Sequence, residues 1–517
     1  MSVAVASRRS GISLVVVATS LGFVLVQLDV SILNVALARI GAVLGTGVVG
    51  LQWVVDAYTI AFASLMLSAG ALGDRIGARQ AYMSGFILFV LASLGCGLAP
   101  GVGTLIAARA VQGIGAALLV PCSLALLTHA CRGDATARGR AISLWTAAAS
   151  VSLAAGPVLG GVLIDTLGWR TIFFINLPIG AAGLWLTQVF VEDTPQRDSG
   201  FDGMGQALAL VTLLVLTGTV IEAGRLGFGS AIALCGFAVA AVAGTCFVVV
   251  EARGQDPMLP LHFFRQPTFS SAAAIGLLIN LTLYGGIFVL GLYLQQIRRY
   301  SPMVAGFAFL PFPVALGVSN LAAGRLGGRP RLGVPIAGGL LLGGVGFLLL
   351  RHLGVATSYA AMVPGLVVIP AGIGLAVPLM TSALLSTVPG SRSGVAAGVL
   401  NTVRQAGGGI GVALFGALMA VHGVPGIQTA FVASAVLLAG GALIAATGIR
   451  PPTRSTYRST RRQACRSPFS SATSLIPSSG ASSRSTRGAG SRSFRTAAVS
   501  SSAIGCRMRG RTTSPMG

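Results

Sequence analysis

Between Gly11 and Arg450 the chain is a succession of long apolar stretches joined by short polar connections, and this pattern limits the fold more than any other feature. The stretches are residues 12–37, 48–72, 80–98, 104–128, 141–164, 171–191, 205–221, 230–250, 268–295, 303–324, 332–350, 356–386, 394–420 and 427–449. Each is near the ~20 residues that a helix needs to cross a bilayer. A spanning barrel would instead show alternating segments of about 10 residues; these runs are longer and uniformly apolar. The chain is therefore expected to be an all-α integral membrane protein with fourteen transmembrane helices. The first stretch could pass for a secretory signal, with Ala36-Leu37-Ala38 as a cleavage box. Its apolar region exceeds the about 7–15 residues of such a signal, so it reads as a retained helix.

Composition excludes the soluble alternatives. Only 9% of the 517 residues are charged and 54% are hydrophobic, whereas a soluble domain carries about 25% charged residues. All 35 basic residues are Arg. With no Lys there is no phosphate-binding loop of the GxxxxGK[ST] type and no Schiff-base lysine. Cys96, Cys122, Cys131, Cys235, Cys246, Cys465 and Cys506 form no CxxC pair. His129, His262, His352 and His422 form no HExxH pattern, so no metal site is expected. There is no GxSxG element either, and the chain is not expected to be an enzyme or to hold a cofactor.

The net charge of +23 is not a nucleic-acid signal once it is mapped. Residues 451–517 hold 12 Arg and no acid, leaving +11 for the rest. That Ser/Arg-rich tail (450–517) lacks the apolar positions to offset chain entropy and is expected to be disordered. Its abrupt composition also fits an out-of-frame end, and no function is assigned to it. With the N-terminus inside, the inner connections carry 14 Arg and the outer ones 6. This bias puts both termini in the cytoplasm, in a multi-pass protein of the cell membrane.

Four charges fall inside the stretches: Asp29, Asp56, Arg109 and Arg404. Such a charge near the bilayer centre costs about 2.5–3.5 kcal/mol, so it usually faces a polar interior. At about 1.5 Å per residue, Asp29, Asp56 and Arg109 share the outer half of the membrane and Arg404 lies near the middle. Two acids and two bases allow pairing in a common cavity. A low dielectric favours the neutral carboxyl, and a nearby cation favours the ionised one. The set is therefore a candidate for loading and releasing a proton. Glycine, at 72 residues, clusters within the stretches, where small residues let helix backbones approach closely.

Several motifs carry a family resemblance. The connection after the second stretch, Gly70-Ala71-Leu72-Gly73-Asp74-Arg75-Ile76-Gly77-Ala78-Arg79, resembles the GxLxDrxGrr loop of the major facilitator superfamily. An acid-free echo, Gly324-Arg325-Leu326-Gly327-Gly328-Arg329, follows the tenth stretch, as a duplicated transporter would have it. Leu105, Arg109, Gln112, Gly113 and Gly115 are similar to the lxxxRxxqGxg motif. Gly156-Pro157-Val158-Leu159-Gly160-Gly161 is similar to the antiporter GPxxGG element, with Ser152 where a glycine is usual. Leu28-Asp29 with Asn34-Val35-Ala36-Leu37, Trp169-Arg170 with Phe173, Asn176 and Pro178, and Arg404-Gln405 resemble the fourteen-helix drug:proton antiporter branch. Thr171 replaces that branch's usual aromatic.

The resemblance covers residues 12–449 and implies two six-helix bundles, 12–191 and 268–449. Between them, a linker at 192–267 carries two accessory helices, and residues 1–11 form a cytoplasmic N-terminus. It also implies proton-coupled export of small amphipathic drugs or antibiotics by alternating access, by a monomer. On this reading Gly70, Asp74, Arg75, Gly77 and Arg79 belong to a gate, and Gly156, Pro157, Gly160 and Gly161 to a helix bend favouring antiport. Gln27, Asn34, Gln112, Asn280 and Asn401 are the candidate polar groups of a substrate cavity. The alternative is a proton-coupled symporter for a nutrient or small metabolite. The scarcity of polar residues in the stretches favours amphipathic cargo.

Overall fold

Prolines decide where two of the expected spans break. The computed structural model of the chain describes residues 2–131, 135–196, 202–254, 257, 259–326, 331–388 and 393–449, which are helical with no strand. The elements are α1 (Ser2–Leu44), α2 (Val48–Ile76), α3 (Ala78–Gly97), α4 (Val102–Ala130), α5 (Ala135–Leu167), α6 (Thr171–Phe174) and α7 (Asn176–Phe190). The accessory pair follows as α8 (Gly203–Leu226) and α9 (Ala231–Arg253). The last group is α10 (Pro267–Leu292), α11 (Pro302–Ala308), α12 (Pro311–Leu326), α13 (Gly333–Leu349), α14 (Tyr359–Leu385), α15 (Ser393–His422) and α16 (Val424–Gly448).

Thirteen spans among the described residues are long and apolar enough to cross a membrane, with α6–α7 and α11–α12 each counting as one. The fourteenth, α13, has 17 residues, the lower end of the usual range of about 17–25. The all-α membrane class is therefore as expected, with corrections of detail. The sixth span is interrupted at Ile175, where Pro178 has no N–H for the carbonyl of Phe174 four residues back. The tenth is interrupted between α11 and α12, where Pro311 does the same to Phe307. The ninth ends in a π-helical turn, Tyr293–Ile297. α5, by contrast, runs unbroken through Pro157. The tail 450–517, Gly327, Gly328 and Arg329 of the loop echo, and Arg132, Arg197 and Arg392 of the charge count lie outside the described residues.

In the first group α1 packs on α4, α5 and α7, and α4 on α2 and α3. Tyr82 pins α3 to α1: its hydroxyl lies 3.0 Å from the carbonyls of Ala18 and Thr19 and accepts the N–H of Gly22 at 3.0 Å. In the last group α10 packs on α15 and α16, α12 on α14, and α13 on α14 and α16. α8 rests on α2 and α15, and α9 leans on α8.

The first and last groups meet at the end of the bundle that carries the α1–α2 turn. There Gln52 Nε2 donates to the carbonyl of Ala413 at 2.6 Å, Gln295 Nε2 to that of Val35 at 2.8 Å, and the Met303 N–H to Asp165 Oδ2 at 3.0 Å. Glycine makes this approach possible. A Cβ on Gly161 of α5 would stand 2.7 Å from the Met303 Cα and the Pro302 carbonyl oxygen, both backbone atoms that cannot give way. Gly338 of α13, in contrast, faces open space. Gly161→Ala should therefore lower stability by about 1–3 kcal/mol, read as a fall in the thermal unfolding midpoint of the purified protein, while Gly338→Ala leaves the midpoint unchanged or raised.

Candidate functional site

Five helices contribute to the polar cluster around Asp29 of α1. Arg109, eight residues into α4, directs Nη1 at Asp29 Oδ2 at 2.5 Å, and each residue keeps only 1% of its surface exposed. Two neutral amides complete the cage. Gln112 Nε2, one turn further along α4, donates to Asp29 Oδ1 at 2.8 Å, and Asn176 Nδ2, at the start of α7, donates to the same oxygen at 3.0 Å. Both amides also approach the hydroxyl of Ser93 on α3, at 2.8 and 3.3 Å. The Arg109 guanidinium donates from Nε to the Val54 carbonyl of α2 at 3.2 Å and lies 4.2 Å over the ring of Tyr58. A buried pair holds only when its remaining donors and acceptors are met, and here most of them are.

This cluster borders the space between the two helix groups. One cavity is lined by Asn34, Tyr58, Thr59, Arg109, Tyr284, Gln405 and Gly408 among others. A neighbouring one has Ser31, Asn34, Leu283, Tyr284, Ile287, Phe309 and Phe312 in its wall. Tyr284 and Asn34 belong to both. The second cavity is almost wholly apolar, as pockets for amphipathic molecules are.

The four membrane charges are not one paired set. Asp56 has no exposed surface, and neither of its oxygens has a hydrogen-bond partner among the described residues. It faces the small residue Gly409 of α15, not interfacial water. Arg404 is also away from Asp29: its Nε donates to Asn280 Oδ1 at 3.2 Å. Of the expected cavity groups only Asn34 lines either cavity. Gln112 is turned into the Asp29 cage and Asn280 onto Arg404, while Gln27 and Asn401 line neither. The amides of Gln112 and Asn280 were drawn to the nearest charge.

The expected connection 70–79 is mostly helical: Gly70, Asp74 and Arg75 belong to the end of α2, Arg79 to the start of α3, and only Gly77 lies between; Asp74 and Arg75 are exposed. Arg79 pairs with Asp193 at 2.9 Å and donates to the Gln188 carbonyl at 2.9 Å, and the Ala78 N–H donates to Thr194 Oγ1 at 2.7 Å. Gly77 makes the turn at φ +97°, a region that favours glycine, and Gly70 has open space around it. On α5, Gly156 and Gly160 lie against Ser31 and Ile32 of α1, and the carbonyl of Pro157 meets Gly306 of α11. This stretch is a seam pressed from both sides.

The sequence profile of the Major Facilitator Superfamily matches residues 19–412. The chain belongs to that superfamily. It is 38% identical over 410 residues to the methylenomycin A resistance protein of Streptomyces coelicolor, covering 79% of this chain and 86% of that one. To the multidrug resistance protein Stp of Mycobacterium tuberculosis it is 38% identical over 411 residues, covering 79% and 76%. A solved POT family transporter in complex with 5-aminolevulinic acid shares the fold, with a TM-score of 0.64 at 14% identity over 84% of this chain and 95% of that one. This major facilitator is a multi-pass membrane transporter rather than an enzyme.

The facilitator's site also contains groups that hydropathy could not single out: Tyr58, Tyr284, Phe309 and Phe312 are aromatic residues among many apolar ones in their stretches. Asn176 carried a signal, being polar within an apolar run just before Pro178. Deleting one charge of the dry pair strands the other. Asp29→Ala and Arg109→Ala should each destabilise the fold by about 3–5 kcal/mol. The double variant should lose less than their sum by about 0.5–3 kcal/mol, measured by equilibrium unfolding in detergent.

Proposed function

We propose that this transporter exports small amphipathic drugs or antibiotics from the cytoplasm in exchange for protons, with both termini cytoplasmic in the cell membrane. The observation that carries the reading is the Asp29–Arg109 pair, dry on its own side yet with Arg109 and its partner Tyr58 in the wall of the inter-group cavity. A proton arriving on Asp29 removes the charge that holds Arg109. The guanidinium then keeps only neutral partners, Val54, Gln112 and Tyr58, and shifts towards α2, where Asp56 is a second carboxyl two residues beyond Val54. Cargo beside Tyr58 meets the same guanidinium, so cargo and proton compete for one arrangement.

Alternating access fits the way the two groups meet. With the orientation inferred from the Arg count, the seam of Gln52, Gln295, Gly161 and Gly306 closes the outer end. The Arg-bearing α2–α3 junction then lies at the cytoplasmic end. The relatives named for antibiotic and multidrug resistance support the cargo class. The apolar lining with Phe309 and Phe312 supports it over a polar nutrient. In everted vesicles holding an acid interior, an amphipathic antibiotic panel should dissipate the pH gradient, and Asp29→Asn should reduce that effect at least about tenfold, the loss expected when a proton-transfer group is removed. Dissipation that is equal in Asp29→Asn would remove Asp29 from the coupling.

A further inference from the structure

Among the described residues Arg404 is a membrane-embedded cation with no carboxylate in ion-pair distance. The chain's twelve acids end at Asp256, so the last six spans contain none. Arg404 lies eleven residues into α15, about 17 Å along the helix and near mid-span. It keeps part of its surface accessible. Its one hydrogen bond among the described residues is from Nε to the neutral Asn280. The two membrane acids are committed elsewhere: Asp29 to Arg109, and Asp56 enclosed against Gly409 with no surface to offer. An unpaired guanidinium at this depth is costly and marks a ligand path more often than a packing contact.

Its neighbours are suited to completing an anion site. Tyr284 sits one turn beyond Asn280 on α10, within electrostatic reach of Arg404. Tyr284 lines both cavities. No acid lines either cavity. Arg404 and Asn280 line neither cavity themselves; Tyr284 is what connects them to both walls. A cationic cargo would find no carboxylate in those walls, whereas an anion beside Tyr284 would be near the Arg404 guanidinium, whose terminal nitrogens make no hydrogen bond among the described residues and suit a forked bond.

We propose that Arg404, with Asn280 and Tyr284, forms an anion-binding subsite. The compound this protein exports then carries a carboxylate or comparable acidic group on an apolar body. The inference rests on the exporter reading and names its cargo class. Purified full-length protein is titrated at neutral pH with phenylbutyrate and with its uncharged methyl ester. Wild type should bind the acid at least about tenfold tighter than the ester, the range of one charge-assisted hydrogen-bond set. Arg404→Gln should bring the ratio near one, and Arg404→Lys should keep a reduced preference, since a point charge survives without the fork. No acid preference in wild type, or a preference intact in Arg404→Gln, overturns the subsite. If vesicles export neutral amphipathic drugs and show no acid preference, the subsite falls and the exporter stands. An Arg404-dependent acid preference in a protein that moves no drug supports the subsite and sinks the exporter.

Discussion

Asp29 and Arg109 are each 1% exposed, and their attraction depends on how completely their hydrogen-bonding capacity is met within the helices. Two charges removed from water hold together only with good geometry and satisfied neighbours. Those neighbours come from α2, α3, α4 and α7, so the pair sets how five helices of the first group face one another. The same dependence makes it a sensitive element. A change of one charge leaves the other partner in a low dielectric, where an unpaired ion is costly, and the helices must rearrange to accommodate it.

Rearrangement requires that the two groups be joined without being locked. Their seam is built of backbone against glycine at Gly161 and Gly306, with a few side-chain amides reaching across to carbonyls. Lipid offers no hydrophobic force between helices, so close backbone packing must supply cohesion. Smooth small-residue faces give that cohesion at the end that carries the α1–α2 turn, and Gly398, Gly409 and Gly416 of α15 continue it along α2 from Gln52 to Leu67. The cavity walls differ in character: Arg109 and Tyr58 on the side of the first group, and Tyr284, Phe309 and Phe312 on the side of the last.

Much of the architecture was legible because a bilayer imposes a length on apolar segments. The depth arithmetic also brought Asp29 and Arg109 to one level, where they meet. What hydropathy could not convey was direction. In a helix that is apolar all round, Phe309 looks the same whether it faces lipid or cavity, and only the neighbouring helix decides. Polar residues misled in the opposite sense: Gln112 and Asn280 suggested cavity walls but were captured by Asp29 and Arg109, and by Arg404, respectively. The balance of two acids and two bases likewise suggested two pairs, whereas Asp56 and Arg404 face different parts of α15 and α10. The breaks at Ile175 and before Pro311 were written in the prolines that follow them.

The central claim is that Asp29 takes up and releases a proton inside the helix bundle, and in doing so releases and recaptures Arg109. Isotope-edited infrared spectroscopy of the aspartate carboxyl, with Asp29→Asn to assign its band, reads this directly. As pH falls with the protein still folded, a neutral carboxyl band belonging to Asp29 should grow at the expense of its carboxylate band, and a bound amphipathic drug should shift the balance between them. A carboxylate band for Asp29 that is unchanged by pH and by drug across the whole folded range would contradict the account.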